Sequence, residues 1–124
     1  MLFKNILWVG LGGALGSIAR YLTYKYLTQL YPHTFPIGTF IINILGCFLI
    51  GLFFGLASKH EYFTPAFRLL LMTGFCGGFT TFSAFTLEGI HLLNQQRFLI
   101  FTLYFAFSVL FGLMATFTGL WLTR

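Results

Sequence analysis

The chain has 124 residues, of which 58% are hydrophobic and only 7% charged, with seven Lys or Arg against two acids. A soluble domain carries about 25% charged residues, so this chain lacks the polar surface to cover a globule in water. Its net charge of +5 is spread over single basic residues, which excludes the basic patch of a nucleic-acid binder, and no nucleophile and base pair, metal cluster or phosphate loop points to an enzyme.

A helix needs about 20 apolar residues to cross roughly 30 Å of hydrocarbon, and the sequence predicts four such spans, at 3–27, 35–57, 66–93 and 98–122. The expected fold class is therefore an all-α integral membrane protein, a single four-helix domain over residues 1–124. Short connections hold most of the polar residues: 28–34 with Pro32 and His33, 58–65 with Lys59, His60 and Glu61, and 94–97 ending on Arg97. The first apolar stretch is too long for the core of a signal peptide, and three more spans follow it.

In the first span, GLGGALG at 10–16 sets Gly12 and Gly16 four apart, a small-residue face that lets backbones approach. Its likeness to a dinucleotide loop fails, because the spacing is GxGxxxG and no strand precedes it. Arg20 continues that face one turn on, so its guanidinium is expected inside the protein or in a wet vestibule; the alternative is an Arg reaching back to the headgroups. In the second span Thr39, Asn43 and Gly46 share one polar, small face. Asn43 there serves either as glue between helices or as a ligand for an ion.

The third span carries GFCGGFTTFSAF at 74–85. Gly74, Gly77 and Gly78 each cost a helix about 1 kcal/mol relative to Ala, and Thr80 and Ser83 resemble a new start with a hydroxyl cap. A helix broken near its middle is the expectation, with a glycine-rich kink that serves packing as the alternative. Irregular backbone at membrane depth survives only where protein buries it or a pathway uses its free groups: carbonyls for a cation, N–H groups and the positive dipole end for an anion. Phe82 and Phe85 share a face beside Thr81 and Ser83, and the positive edges of their rings suit an anion held weakly, as conduction requires. Glu88, the one acid within a span, lies on the same face as a candidate proton or cation site, or as a carboxyl that reaches water.

The fourth span repeats Tyr104, Ser108, Gly112 and Thr116 every four residues, a hydroxyl stripe with one gap that reads as the wall of a polar track. Cys47 and Cys76 lie within spans without metal-ligand spacing and read as inert thiols. Four spans put both termini on one side, with Lys4, Lys59, Arg68 and Arg124 there and Arg20, Lys25 and Arg97 toward the other. That is no orientation bias, so oppositely inserted copies can pair about a two-fold axis in the membrane plane. Four helices are also few to enclose a polar path, and an oligomer is expected.

Together GGALGSIARY, GTFIINILGCFLIG and GFCGGFTTFSAFTLE resemble the Fluc (CrcB) family of small bacterial fluoride channels, over essentially the whole chain. The resemblance implies an antiparallel, dual-topology homodimer, multi-pass in the bacterial cytoplasmic (inner) membrane, with two fluoride pores and a structural sodium ion at the dimer centre. It implies Phe82 and Phe85 as pore rings, Asn43 as an amide donor to the ion, and the Gly77 and Thr80 carbonyls of both subunits as sodium ligands. Tyr104, Ser108 and Thr116 would form the hydroxyl track, which Gly112 interrupts, and Arg20 would lend positive potential to a vestibule. Thr39, Thr81, Ser83 and Glu88 complete the expected pore lining. The implied function is passive fluoride export, giving fluoride resistance. The alternative is a small dual-topology, proton-coupled multidrug cation exporter; that class resembles a pump built on a carboxylate in its first helix, which is missing here, so Glu88 would have to serve.

Overall fold

The computed structural model describes residues 1–31 and 34–124; Pro32 and His33, placed by sequence in the first connection, lie outside the described residues. Four helical stretches are long and apolar enough to cross a membrane: Leu2–Leu30, Ile37–Lys59, Pro65–Asn94 and Phe98–Leu122. They fall within three residues of the expected spans at every end. In the first and fourth, only 11% of the most apolar window is buried inside the chain, so most of that surface is left for lipid or a second chain.

Helices α1 (Leu2–Leu30) and α2 (Ile37–Lys59) are continuous, as is α6 (Phe98–Leu122). The third span is assembled from α3 (Pro65–Arg68), a π-helical segment (Leu69–Cys76), α4 (Gly77–Phe79) and α5 (Phe82–Asn94). It starts where the Thr64 hydroxyl accepts from the Phe67 N–H at 3.2 Å, with Pro65 in the first turn; both are favoured at a helix start. Arg68 Nη2 donates to the Ala57 carbonyl at 2.9 Å, tying that start to the last turn of α2.

The break falls later than the glycines suggest. Gly74, Gly77 and Gly78 are all helical, and the chain opens at Thr80 and Thr81, both extended, with ψ of 158° and 120°. The glycines serve packing instead: a Cβ on Gly74 would stand 2.8 Å from Gly12 Cα, one on Gly78 2.6 Å from the Gly13 carbonyl oxygen, and one on Gly16 2.9 Å from Phe79 N. So α1 and the first half of the third span touch backbone to backbone, as small-residue faces allow. Gly77 differs, being exposed with nothing within 4 Å of where its Cβ would be.

Helices α2 and α6 make the second close pair. A Cβ on Gly119 would meet the Phe48 carbonyl oxygen at 2.5 Å and Leu52 N at 2.6 Å, and Gly51 faces the Thr116 backbone. Helix α5 leans on α6 through Gly89, whose bare backbone makes room for the Phe105 and Phe101 rings. Phe85, Leu92 and Tyr104 form the buried cluster at this junction, with Phe35 and Phe40 packed on it.

These contacts set a test of the first pair. Gly16→Ala is expected to destabilise the protein by about 1–3 kcal/mol through overpacking, whereas Gly10→Ala, inside α1 where a Cβ meets nothing within 4 Å, is expected to leave it as stable or up to about 1 kcal/mol more stable. Thermal unfolding of both variants in detergent checks the difference.

Candidate functional site

The site is built around the two extended residues. A break in a spanning helix frees backbone groups that lipid cannot satisfy, and Asn43 on α2 answers two of them at once. Its Oδ1 accepts from the Thr81 N–H at 2.8 Å and its Nδ2 donates to the Thr81 carbonyl at 3.0 Å. Thr81 also caps the second half, its hydroxyl accepting from the Ala84 N–H at 3.1 Å. Sequence placed a cap at Thr80 or Ser83. The Thr80 hydroxyl turns back instead and donates to the Cys76 carbonyl at 2.9 Å, while Ser83 is an exposed residue of the first turn of α5, its Oγ 3.3 Å from Thr81 Oγ1.

Arg20 is half-buried and its guanidinium turns toward the third span. Its Nε donates to the Gly78 carbonyl at 3.0 Å, placing a cation at the C-terminal end of the first half-helix, where the dipole favours it. Thus the carbonyl of Gly78 is taken. No hydrogen bond among the described residues ends on the carbonyls of Gly77 or Thr80.

One and a half turns into α5, Glu88 draws two hydroxyls. Thr39 Oγ1 donates to Oε2 at 2.8 Å and the Tyr104 hydroxyl to Oε1 at 2.9 Å; Thr39 and Tyr104 are 1% and 0% exposed. Three spans therefore converge on one carboxyl, which is half-buried and lines two of the cavities described below. Phe85 stacks on Phe105 with centroids 4.2 Å apart and sets its ring against Tyr104 at 63°. Phe82 sits 5.8 Å from Phe85 yet is 76% exposed, so it projects from the chain.

The stripe on α6 faces α2 and divides its labour. Thr116 Oγ1 donates to the Cys47 carbonyl at 3.0 Å, Gly112 is buried with Cys47 Sγ 3.4 Å from where its Cβ would be, and Tyr104 is held on Glu88. Ser108 alone keeps a buried hydroxyl oxygen without a hydrogen-bond partner among the described residues, in a membrane an unsatisfied group that calls for a ligand.

Three cavities follow α5. One of about 230 Å³ is lined by Tyr24, Thr28, Glu88, His91 and Gln95. A second, of about 450 Å³, shares Tyr24, Glu88 and His91 and adds Arg20, Thr39 and Thr81. The third, about 470 Å³, shares Thr81 and is lined also by Asn43, Thr80, Phe82, Phe85 and Ser108. The three cavities adjoin one another through these shared residues, from the end of α5 past the half-helix break to Ser108. Of the site residues read from sequence, Ser83, Tyr104 and Thr116 stand off these cavities. Tyr24, His91 and Gln95 were missed, although Glu88, His91 and Gln95 have the i, i+3, i+7 spacing of one helix face.

Removing the Asn43 amide leaves the Thr81 N–H and carbonyl unpaired, at about 1–3 kcal/mol per group. Asn43→Ala is therefore expected to lower the unfolding temperature and to speed amide hydrogen exchange at Thr81; unchanged exchange there would show that the pin is dispensable.

The chain was compared with known proteins. The family model described as "CrcB-like protein, Camphor Resistance (CrcB)" matches residues 7–120. A "Fluoride-specific ion channel FluC" of Flavobacterium psychrophilum is 51% identical over 117 residues, covering 94% of each chain. Proteins of the same description from Gloeothece citriformis and Leptospira interrogans are 46% and 38% identical, over 97% and 98% of this chain and 97% and 95% of their own.

Proposed function

The chain belongs to the CrcB family, and on that premise we propose that it is a fluoride-selective channel, not an enzyme, through which the anion leaves the bacterial cytoplasm passively. Near-full-length identity of up to 51% to proteins described as fluoride-specific ion channels carries this reading. Hydrogen fluoride crosses membranes as a neutral weak acid, dissociates in a near-neutral cytoplasm and is trapped as the anion; a selective leak drains it, driven by the inside-negative potential.

The geometry supports a route along α5. Arg20 attracts the anion into the cavity it lines with Thr39 and Thr81. The dipole start of α5 and the edges of Phe82 and Phe85 then hold it weakly, and the unpartnered Ser108 hydroxyl offers a donor in the cavity those rings line. Asn43 keeps one of its two amide hydrogens beyond the bond to Thr81 and offers that one to the ion. Thr116 is committed to the Cys47 carbonyl, so the hydroxyl track ends at Ser108 in a single chain.

The finer assembly belongs to the same proposal: two copies, inserted oppositely in the cytoplasmic membrane, face one another across the break. Balanced basic residues, the exposed Gly77 and the projecting Phe82 support it. Such a pairing brings together the Gly77 and Thr80 carbonyls of both copies. Hard carbonyl oxygens left without hydrogen bonds suit a hard monovalent cation such as sodium, which would neutralise the carbonyl dipoles gathered at the break.

Liposomes bearing the purified protein are expected to release fluoride but not chloride when a potassium ionophore removes the opposing voltage. Phe82→Ile and Phe85→Ile should abolish that release. Ser108→Ala, which removes one hydrogen bond of about 1 kcal/mol, should slow it roughly fivefold; unaltered flux in this variant would make Ser108 a packing residue. For the assembly, labelling of both termini from one side of the membrane is expected to mark half the molecules, and a single orientation would sink the antiparallel pair.

A further inference from the structure

Glu88, His91 and Gln95 recur along one face of α5 and line one cavity of about 230 Å³ together with Tyr24 and Thr28. A Glu-x-x-His pair on one helix is a ligand arrangement used in helical bundles for first-row transition metals. A carboxylate and an imidazole suit Zn²⁺, Ni²⁺ and Cu²⁺, and an amide carbonyl one turn further can add a third oxygen. Here the geometry for such an ion is partly prepared. Thr39 and Tyr104 each hold one carboxyl oxygen of Glu88, fixing its plane while leaving each oxygen a second lone pair. Hydrogen-bonded supports of this kind orient metal ligands and tighten their sites.

Access also differs from the rest of the route. His91 and Gln95 are exposed, and the cavity reaches the end of α5, where the chain turns through Gln95 and Gln96 toward Arg97. An ion arriving from water meets this site before it meets the break. His91 stands one turn from Glu88 on the same face of α5, and the two residues line the same two cavities.

We propose that Glu88, His91 and Gln95 form a binding site for a divalent first-row transition-metal ion at the mouth of the α5 route, and that the bound ion blocks fluoride flow. With few protein ligands the ion keeps open positions, and a hard anion such as fluoride coordinates there and is retained. A conducting path requires release as much as binding, so a metal in the mouth stalls it. The blocking half rests on the fluoride-channel reading; the binding half does not.

The test uses the full chain in detergent and in liposomes, with any purification tag removed. Zn²⁺ and Ni²⁺ binding is followed by titration calorimetry, and Cu²⁺ by electron paramagnetic resonance for nitrogen coupling from an imidazole. Expected are a binding isotherm near one ion per chain, nitrogen coupling to Cu²⁺, and fluoride efflux that falls as Zn²⁺ rises. His91→Gln, with its efflux normalised to its own metal-free rate, is expected to lose the nitrogen coupling and to raise the half-blocking Zn²⁺ concentration by about tenfold or more. His60→Gln, in the α2–α3 connection, should change nothing. Metal binding in a protein that does not conduct would sink the channel reading and leave the site standing. No binding in protein that does conduct, or equal binding and block in wild type and His91→Gln, would overturn the site.

Discussion

A helix interrupted at mid-membrane exposes peptide groups where no water can reach them, and the rest of this fold is arranged to answer that cost. The Thr81 N–H and carbonyl both close on the Asn43 side chain. Asn43 is itself positioned because α2 is locked against α6 through Gly51 and Gly119. On the other side of the break the Gly78 carbonyl is met by Arg20, and α1 can bring Arg20 there because Gly12 and Gly16 let it lie against the backbone of residues 70–79. Every span therefore has a stake in residues 78–81, so loosening any one of the close pairs also loosens the break.

That dependence explains which parts of the fold were legible in the sequence. Span number and length follow from bilayer thickness and hydropathy alone, and all four spans appear where they were expected. The break was legible in kind and in neighbourhood, between the glycines and Ser83, but the part each residue plays in it was not. Gly74 and Gly78 lower helix propensity by about 1 kcal/mol each, but against α1 they gain close backbone packing that no larger residue permits. They stay helical as a result. The true opening needs a residue whose freed N–H and carbonyl have a partner elsewhere, and the pairing of Thr81 with a side chain 38 positions earlier cannot be read from local spacing.

For the site, periodicity identified faces but not partners. Thr39, Glu88 and Tyr104 were each placed on a polar face, yet only the packed structure shows them meeting on a single carboxyl. The α6 stripe is legible with its gap at Gly112, but the partner of Thr116, a backbone carbonyl on α2, is something no pattern within α6 reveals. His91 and Gln95 were overlooked for the opposite reason: polar residues in the last turn of a span are expected to meet headgroups, and only the cavity they share with Glu88 marks them as more than that.

The polar groups along the route share one further property, which bears on why an anion could pass without being trapped. Apart from His91, the charge-bearing side chains lining the three cavities are Arg20 and Glu88, and each is already engaged, one with a carbonyl at a helix end, the other with two hydroxyls. A guanidinium committed to Gly78 offers an anion less than a free one, and a carboxyl dressed by Thr39 and Tyr104 repels it less than a bare one. On the proposed reading, what remains for the ion is a set of weak, neutral donors and ring edges spaced along α5, ending at Ser108, whose buried hydroxyl has no partner among the described residues. Strong sites would store fluoride; a sequence of weak ones, with the charges muted, lets it move. By the same logic an adventitious strong ligand at the mouth, such as a metal ion on Glu88 and His91, is the perturbation to which such a route is most vulnerable.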